Sequence, residues 1–373
     1  MTVYASGPGN RLLRRIGRAL HIDPFLFFGV LVLASIGILI LYGAGGEQAG
    51  TVIRQFIRLA AAVVVMLLLA QIPAEHLRLW SPWLFALGLI LLALVLVAGE
   101  EGQGAQRWLD LGLVRFQPSE LMKLAVPMML AWYFADRRLP PSLVDLLIAL
   151  SLLVLPILLI AVEPDLGTAI LVGASGALVI FLAGIGWRVI VGFGLLGLGA
   201  APLLWLFMKD YQRQRVLTFL DPATDPLGSG YHIIQSQIAI GSGGLYGKGW
   251  LEGTQSQLNF LPERSTDFIF AVFGEEFGFM GALVLLSFYV LLVLRGLVIA
   301  ANAQDTYSRL LAGSVSLTFF VYLFVNTGMV TGLLPVVGVP LPLVSYGGTS
   351  MVTLMAAFGI LMSIHSHRRL LAK

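Results

Sequence analysis

Of 373 residues, 58% are hydrophobic and only 12% charged, and mean hydropathy is +0.90, so this chain cannot cover itself with a water-soluble surface and is an integral membrane protein. With no cysteine it has neither a disulfide framework nor a thiolate metal site, and five scattered histidines show no ligand spacing, which argues against redox and zinc chemistry. The net charge of +3 comes from Lys and Arg spread along the ends of apolar segments rather than massed in one patch, a pattern that serves anchoring and orientation and not nucleic-acid binding.

Arg11, Arg14, Arg15 and Arg18 precede the first apolar run, but that run, 23–45, is too long for a signal peptide and lacks a small-residue cleavage motif. It reads as the first span, after a cytoplasmic tail at 1–22. Further stretches of membrane-crossing length follow at 54–73, 80–98, 118–136, 144–162, 166–184, 186–208, 278–300, 308–332 and 349–366. The expectation is an all-α integral membrane protein of about ten transmembrane helices, a single polytopic membrane domain over 23–373. The N-terminus, the even-numbered loops with their flanks and the C-terminal tail hold 13 of the 23 Lys and Arg but five of the 20 acids, so both termini should be cytoplasmic. The odd-numbered loops then lie outside, including a large extracytoplasmic loop at 209–266 between helices 7 and 8.

The unusual polar sequence is concentrated on that outer side. In the 99–117 loop, Arg107-Trp108 is either an aromatic belt with a snorkelling Arg or a ligand contact. Gln117-Pro118-Ser119-Glu120 opens the fourth span and sets Glu120 three residues from Lys123 on one helix face, as a self-neutralising pair or as a phosphate-binding cation held by its acid. Glu163-Pro164-Asp165-Leu166-Gly167 is a tight turn whose two acids could also bind a divalent cation. Arg213 and Arg215 stand at the outer end of the seventh span, where basic residues should be few, and call for an anionic partner: lipid headgroups or a diphosphate. The glycine-rich 241–249 stretch, with Lys248, lacks the spacing of a nucleotide-binding loop; its glycines allow sharp turns or close approach of backbone amides to a sugar or phosphate.

Downstream, a polar loop runs from Gly249 through Gln255 into the apolar run Phe268-Ile269-Phe270, with Asp267 at the seam. Asp267 can cap the helix, act as a general base with a pKa raised by desolvation, or do both. Glu275 and Glu276 lie inside the following apolar run, so at least one should meet a cavity or a polar partner. The stretch from Pro335 to Gly348 carries too many Pro and Gly for a regular helix and reads as a re-entrant segment.

In this order, Ala105–Asp110, Gln117–Glu120, Pro164–Thr168, Tyr211–Arg215, the 241–270 loop and Pro340–Gly348 resemble the SEDS (shape, elongation, division, sporulation) proteins over essentially the whole chain. The Gly249-Trp250 and Gly253-Thr254-Gln255 forms look like the elongation branch. The resemblance implies a peptidoglycan glycosyltransferase of the bacterial inner membrane that polymerises lipid II for elongation and rod shape. It also implies partnership with a class B penicillin-binding protein, a transpeptidase, within the elongation machinery. Asp267 matches the family's catalytic aspartate, and Glu120 with Lys123 its functional pair. Arg107, Arg213, Arg215, Lys248, Gln255 and Ser345 are the substrate-binding candidates. Ser265 departs from the pattern, because the family usually places His there, so a proton relay through that residue does not carry over.

Inverting displacement of a diphosphate by a sugar hydroxyl needs one base and a counter-charge for the leaving group. No cofactor is firmly implied, although Mg or Mn could supply that charge. Two rival readings are a lipid II flippase, which needs a polar path reaching both faces, and a non-catalytic activator of the transpeptidase, which would leave Asp267 and Lys123 without a purpose.

Overall fold

A computed structural model describes residues 21–367 apart from 46–48, 103–104, 111, 113–114, 226–227, 259, 262 and scattered positions between 188 and 209. Residues 1–20 of the expected cytoplasmic tail and scattered positions of the expected seventh span lie outside the described residues. Twelve helices are named here in chain order. They are α1 (Pro24–Ala44), α2 (Ala49–Ala70), α3 (Ala74–Ala98), α4 (Pro118–Ala135), α5 (Leu143–Val162), α6 (Leu166–Leu182), α7 (Asp210–Leu220), α8 (Ser229–Gly243), α9 (Thr254–Gln257), α10 (Ile269–Ala301), α11 (Thr306–Val330) and α12 (Thr349–Ser366). Seven of these, α1, α2, α3, α5, α10, α11 and α12, are long and apolar enough to cross a membrane. Helix α4 carries Glu120 and Lys123 in its first turns, and α6 is apolar but only 17 residues long.

The helix starts follow local chemistry. Asp23 accepts the Leu26 N–H at 2.9 Å ahead of Pro24, Ser142 and Asp145 form a reciprocal capping box, and Asp165 and Asp305 cap α6 and α11. The inward stripes of the spans merge into one core, while α2 and α12 lie side by side, as do α10 and α11. Phe56, Leu68, Trp83, Ile90 and Val97 remain exposed, as lipid-facing side chains should be.

Three departures from the sequence reading shape the outer half. The 99–117 loop folds into a small antiparallel sheet, β1 (Glu100–Gly102), β2 (Ala105–Asp110) and β3 (Arg115–Phe116). The segment after 209 is itself partly helical, through α7, α8 and α9. The eighth span starts nine residues earlier than its hydropathy suggests, because α10 includes Ile269–Phe277 and breaks at Gly278, where φ is +67°.

That break frees two amides, and the glycine-rich loop takes them. Phe279 N–H donates to Gly244 O at 2.9 Å and Met280 N–H to Leu245 O at 3.0 Å, while Lys248 N–H and Gly249 N–H donate to the carbonyls of Glu275 and Glu276. A Cβ on Gly278 would come within 2.2 Å of Gly247 N, so both backbones can approach only because the residue is glycine. The loop thus splices a broken helix.

Between α11 and α12 the chain stays non-helical over 331–348 yet sinks into the core: Val339, Leu341, Leu343, Val344 and Ser345 are buried. This strap passes directly over α1, where a Cβ on Gly37 would meet the Val344 backbone.

The basic bias predicts that the 241–257 loop lies outside and the α10–α11 turn inside. Tyr246 and Asn302 are both exposed, so either can carry a single Cys in this cysteine-free chain. Tyr246→Cys should react with a membrane-impermeant thiol reagent on intact spheroplasts, and Asn302→Cys only after lysis; the reverse pattern would invert the orientation.

Candidate functional site

The chain leaves the outer loop through a tight turn before α10. Glu263 has a left-handed φ of +49°, and its carbonyl accepts the N–H groups of Thr266 (3.1 Å) and Phe268 (3.3 Å). The Thr266 hydroxyl donates to the Glu263 carboxylate at 2.7 Å. Phe268, not Asp267, occupies the cap position of α10, and no side chain caps the helix. The capping reading of Asp267 is therefore corrected: its carboxylate is not used on the helix end.

The strap holds this turn from the other side. Tyr346 N–H donates to Ser265 O at 2.8 Å, and the Ser345 hydroxyl donates to Thr266 O at 2.5 Å while accepting from Leu341 N–H. Asn326 of α11, fully buried, donates through Nδ2 to both Asp267 O (2.8 Å) and Val339 O (2.7 Å). A side chain on Gly338 would come within 3.5 Å of Asp267 Oδ2. Thus α11, the strap and the turn fix the backbone of Asp267 and leave its carboxylate for other work.

Burial raises the Asp267 carboxyl to about 6, helped by the Glu263 charge and opposed by Arg215 of α7. Arg215 is the cation whose field reaches Asp267. Arg213 turns back, its guanidinium donating to the carbonyls of Trp205 (3.0 Å) and Leu206 (2.9 Å). His232 of α8 stacks on Phe268 at 5.6 Å between ring centroids; burial lowers its pKa, while Glu263 and Asp225 oppose that shift.

One helical turn from Asn326 on α11, Tyr322 turns to the second predicted centre. Glu120 and Lys123 pair at 2.5 Å, side chains 7% and 6% exposed, with the ammonium 5.4 Å from the Tyr322 ring centroid. Residues four apart share a helix face, so α11 presents Asn326 to Asp267 and Tyr322 to Lys123 on adjacent turns. Toward α5 and α6, Arg107 donates to the carbonyls of Glu163 and Pro164, and Gln117 Nε2 donates to Asp165 at 2.9 Å. Both Glu163 carboxylate oxygens are buried without a hydrogen-bond partner, and burial beside Asp165 pushes that carboxyl up to about 8. A Cβ on Gly167 would meet Val337 O at 2.5 Å, so the Asp165 corner touches the same strap that borders Asp267.

Lys248 and Gln255 belong to another arrangement. Glu275, fully buried, accepts from Lys248 Nζ (2.7 Å), the Thr254 hydroxyl (3.1 Å) and the N–H groups of Gln255 (3.0 Å) and Ser256 (3.3 Å). It holds the 248–256 loop to α10, and Lys248 is already neutralised there. Glu276 is buried beside Glu275, next to the Leu251 backbone. Among the described residues, no three or more His, Cys, Asp or Glu come together in a way that could hold a metal ion.

Asn326, Tyr322, Glu263 and His232 escaped the sequence reading. Asn326 had a usable signal: an amide in the middle of an apolar span must find a partner across helices.

Comparison with known proteins places this geometry. Residues 19–370 match the family model of the FtsW, RodA and SpoVE proteins, described as cell cycle protein. The chain belongs to this family, the SEDS proteins. It is 55% identical to the peptidoglycan glycosyltransferase MrdB of Escherichia coli (strain K12), over 95% of this chain and 96% of that protein. It is 32% identical to the peptidoglycan glycosyltransferase RodA of Treponema pallidum, over 95% and 100%. Among solved structures, a chain of a peptidoglycan synthase complex that coordinates polymerization and crosslinking superposes with a TM-score of 0.81 at 32% identity, covering 92% of this chain and 97% of that one. The Thermus thermophilus rod shape determining protein RodA superposes with a TM-score of 0.71 at 30% identity, covering 93% and 98%. As a SEDS protein this chain is a multi-pass protein of the bacterial inner membrane.

Glu275→Leu should cost about 3–5 kcal/mol, because it strands the Lys248 charge and two loop amides. The thermal midpoint should fall, and protease should cut the 248–256 loop faster; an unchanged midpoint would remove Glu275 as the organiser of the loop.

Proposed function

We propose that this chain is a peptidoglycan glycosyltransferase that polymerises lipid II on the outer face of the membrane, with Asp267 as general base. The observation that carries the assignment to Asp267 is its carboxylate: the backbone around it is fixed from three sides, yet the side chain caps nothing and sits where burial makes it basic. The family relationship and the MrdB and RodA relatives support the reaction class.

In the step, the acceptor's 4-hydroxyl oxygen attacks the anomeric carbon of the donor and gives its proton to Asp267. The bond from that carbon to the diphosphate oxygen breaks with inversion, and the diphosphate departs with the electron pair. Arg215 and Lys123 are the cations assigned to it, with Glu120 holding Lys123 in place. A divalent ion arriving with the diphosphate, Mg or Mn, would share that task. Arg107 and Ser345 act by holding the α5–α6 turn and the strap. A class B penicillin-binding protein is the partner that crosslinks the product, in keeping with the synthase complex that this chain resembles.

Asp267→Asn keeps size and backbone but cannot take a proton, so polymerisation should fall by about 10²–10⁴-fold with folding intact. A base must be ionised, so wild-type rate should climb with pH through an acid limb near the Asp267 pKa of about 6. A rate independent of pH between 5 and 7, or full activity in Asp267→Asn on a lipid II gel, would remove Asp267 from the role.

Single substitutions at Glu120 or Lys123 strand a buried charge, so the informative variant is the double swap Glu120→Lys with Lys123→Glu. If Lys123 meets the diphosphate, the swap should fold and fail to polymerise. Full activity would reduce the pair to a structural one.

A further inference from the structure

Helix α2 carries two cations on one face, Arg54 and Arg58, four residues apart and flanking Gln55. Like charges at this spacing repel, and Arg58 lies well inside a span, where a cation is costly without an acid. No carboxylate pairs with it among the described residues; its guanidinium carbon lies 4.6 Å from the centroid of the Tyr346 ring. That contact recovers only part of the cost of placing the charge there. It also occupies only the face of the guanidinium, and the N–H groups at its edge make no hydrogen bond among the described residues.

Those donors lie beside the strap that holds the catalytic turn. Gln55 Nε2 donates to Ser345 O at 3.3 Å, a Cβ on Gly348 would be 3.4 Å from Arg58 Nε, and Tyr346 N–H holds Ser265 O. Gln55 Oε1 is buried and unpartnered, and nothing stands within 4 Å of a Cβ placed on Gly347, so the corner has open space next to the cation. In a helix each side chain leans toward the N-terminus, which for α2 is the outer end, so Arg58 reaches outward, toward the level of Arg54.

We propose that Arg58, steadied on Tyr346, forms a seat for a phosphate group carried by a lipid. A planar fork with one face stacked and its edge free is suited to two parallel hydrogen bonds to phosphate oxygens, and open space at Gly347 admits the group. Two lipids carry this chemistry in a bacterial membrane: a diphosphate-linked substrate and an anionic phospholipid. The first source rests on the transferase reading above; the seat itself does not.

The test uses the purified full chain, wild type and with Arg58→Met, Arg58→Lys or Tyr346→Leu. Inorganic pyrophosphate should raise the melting temperature of the wild type by about 2 °C or more at ten times its dissociation constant. The shift should vanish in Arg58→Met and persist in part in Arg58→Lys, which keeps the charge but not the fork; Tyr346→Leu should weaken it while keeping the cation. If the substrate's diphosphate is the occupant, Arg58→Met should also raise KM for lipid II about tenfold with kcat changed less than about threefold. If a phospholipid is the occupant, nanodiscs rich in phosphatidylglycerol should stabilise the wild type over Arg58→Met, with KM unchanged. Neither anion distinguishing wild type from Arg58→Met and Tyr346→Leu would overturn the seat. Melting shifts need no turnover, so a failed polymerisation assay alone would count against the transferase reading and not against this one.

Discussion

Backbone that leaves a helix within a membrane has no water to bond, and the outer half of this molecule is organised by that constraint. The strap over 331–348 meets it with side chains from three directions: Asn326 takes Val339 O, Ser345 takes Leu341 N–H, and the Tyr289 hydroxyl donates to Pro342 O at 2.5 Å. Two of these same groups also bond the turn before α10, through Asp267 O and Thr266 O. The position of Asp267 is therefore set by the bonds that make the strap tolerable. Loss of strap order and loss of the Asp267 turn should be one event.

The break in α10 meets the same requirement differently. Gly278 releases the amides of the next turn, and the 244–249 loop supplies carbonyls for them, with Glu275 gathering the loop's remaining donors. Helix α8, which follows the outer α7, is tied to the end of α11 by Ser236 to Val330 O and Gln237 to Thr331 O. The short segment Ile269–Phe277 is thus held at both ends, a rigid base for the turn that carries Asp267. Rigid support of this kind is what an in-line displacement requires, because small errors of position cost rate steeply.

Charge placement follows the same logic. The Glu120–Lys123 pair neutralises itself within one helix, so it needs no distant partner, and Tyr322 covers the ammonium. Asp267 makes no ion pair among the described residues: burial and the Glu263 charge raise its carboxyl and Arg215 moderates it, both charges coming from the segment between α6 and α10 rather than from a span. The charges around Asp267 thus come from loop elements, while the Glu120–Lys123 pair is held within a single helix.

Composition and periodicity alone determined that this is a polytopic membrane protein, located most of its spans within a few residues, and marked Asp267, Glu120, Lys123 and the strap. They could do so because apolar length, charge inside a span and Pro/Gly density are local properties. Helix α10 defeated the hydropathy reading because its first nine residues include Glu275 and Glu276, which lower the average although both are buried. Lys248 looked free because its partner lies 27 residues away. Asn326 signalled only that it needed a partner, and Tyr322 and His232 gave little local hint at all, since their value comes from what α8 and α11 bring them against. Which polar groups face one another across the bundle was decided only by tertiary packing, because satisfaction of buried donors and acceptors is a property of pairs distant in sequence, and no single segment contains it.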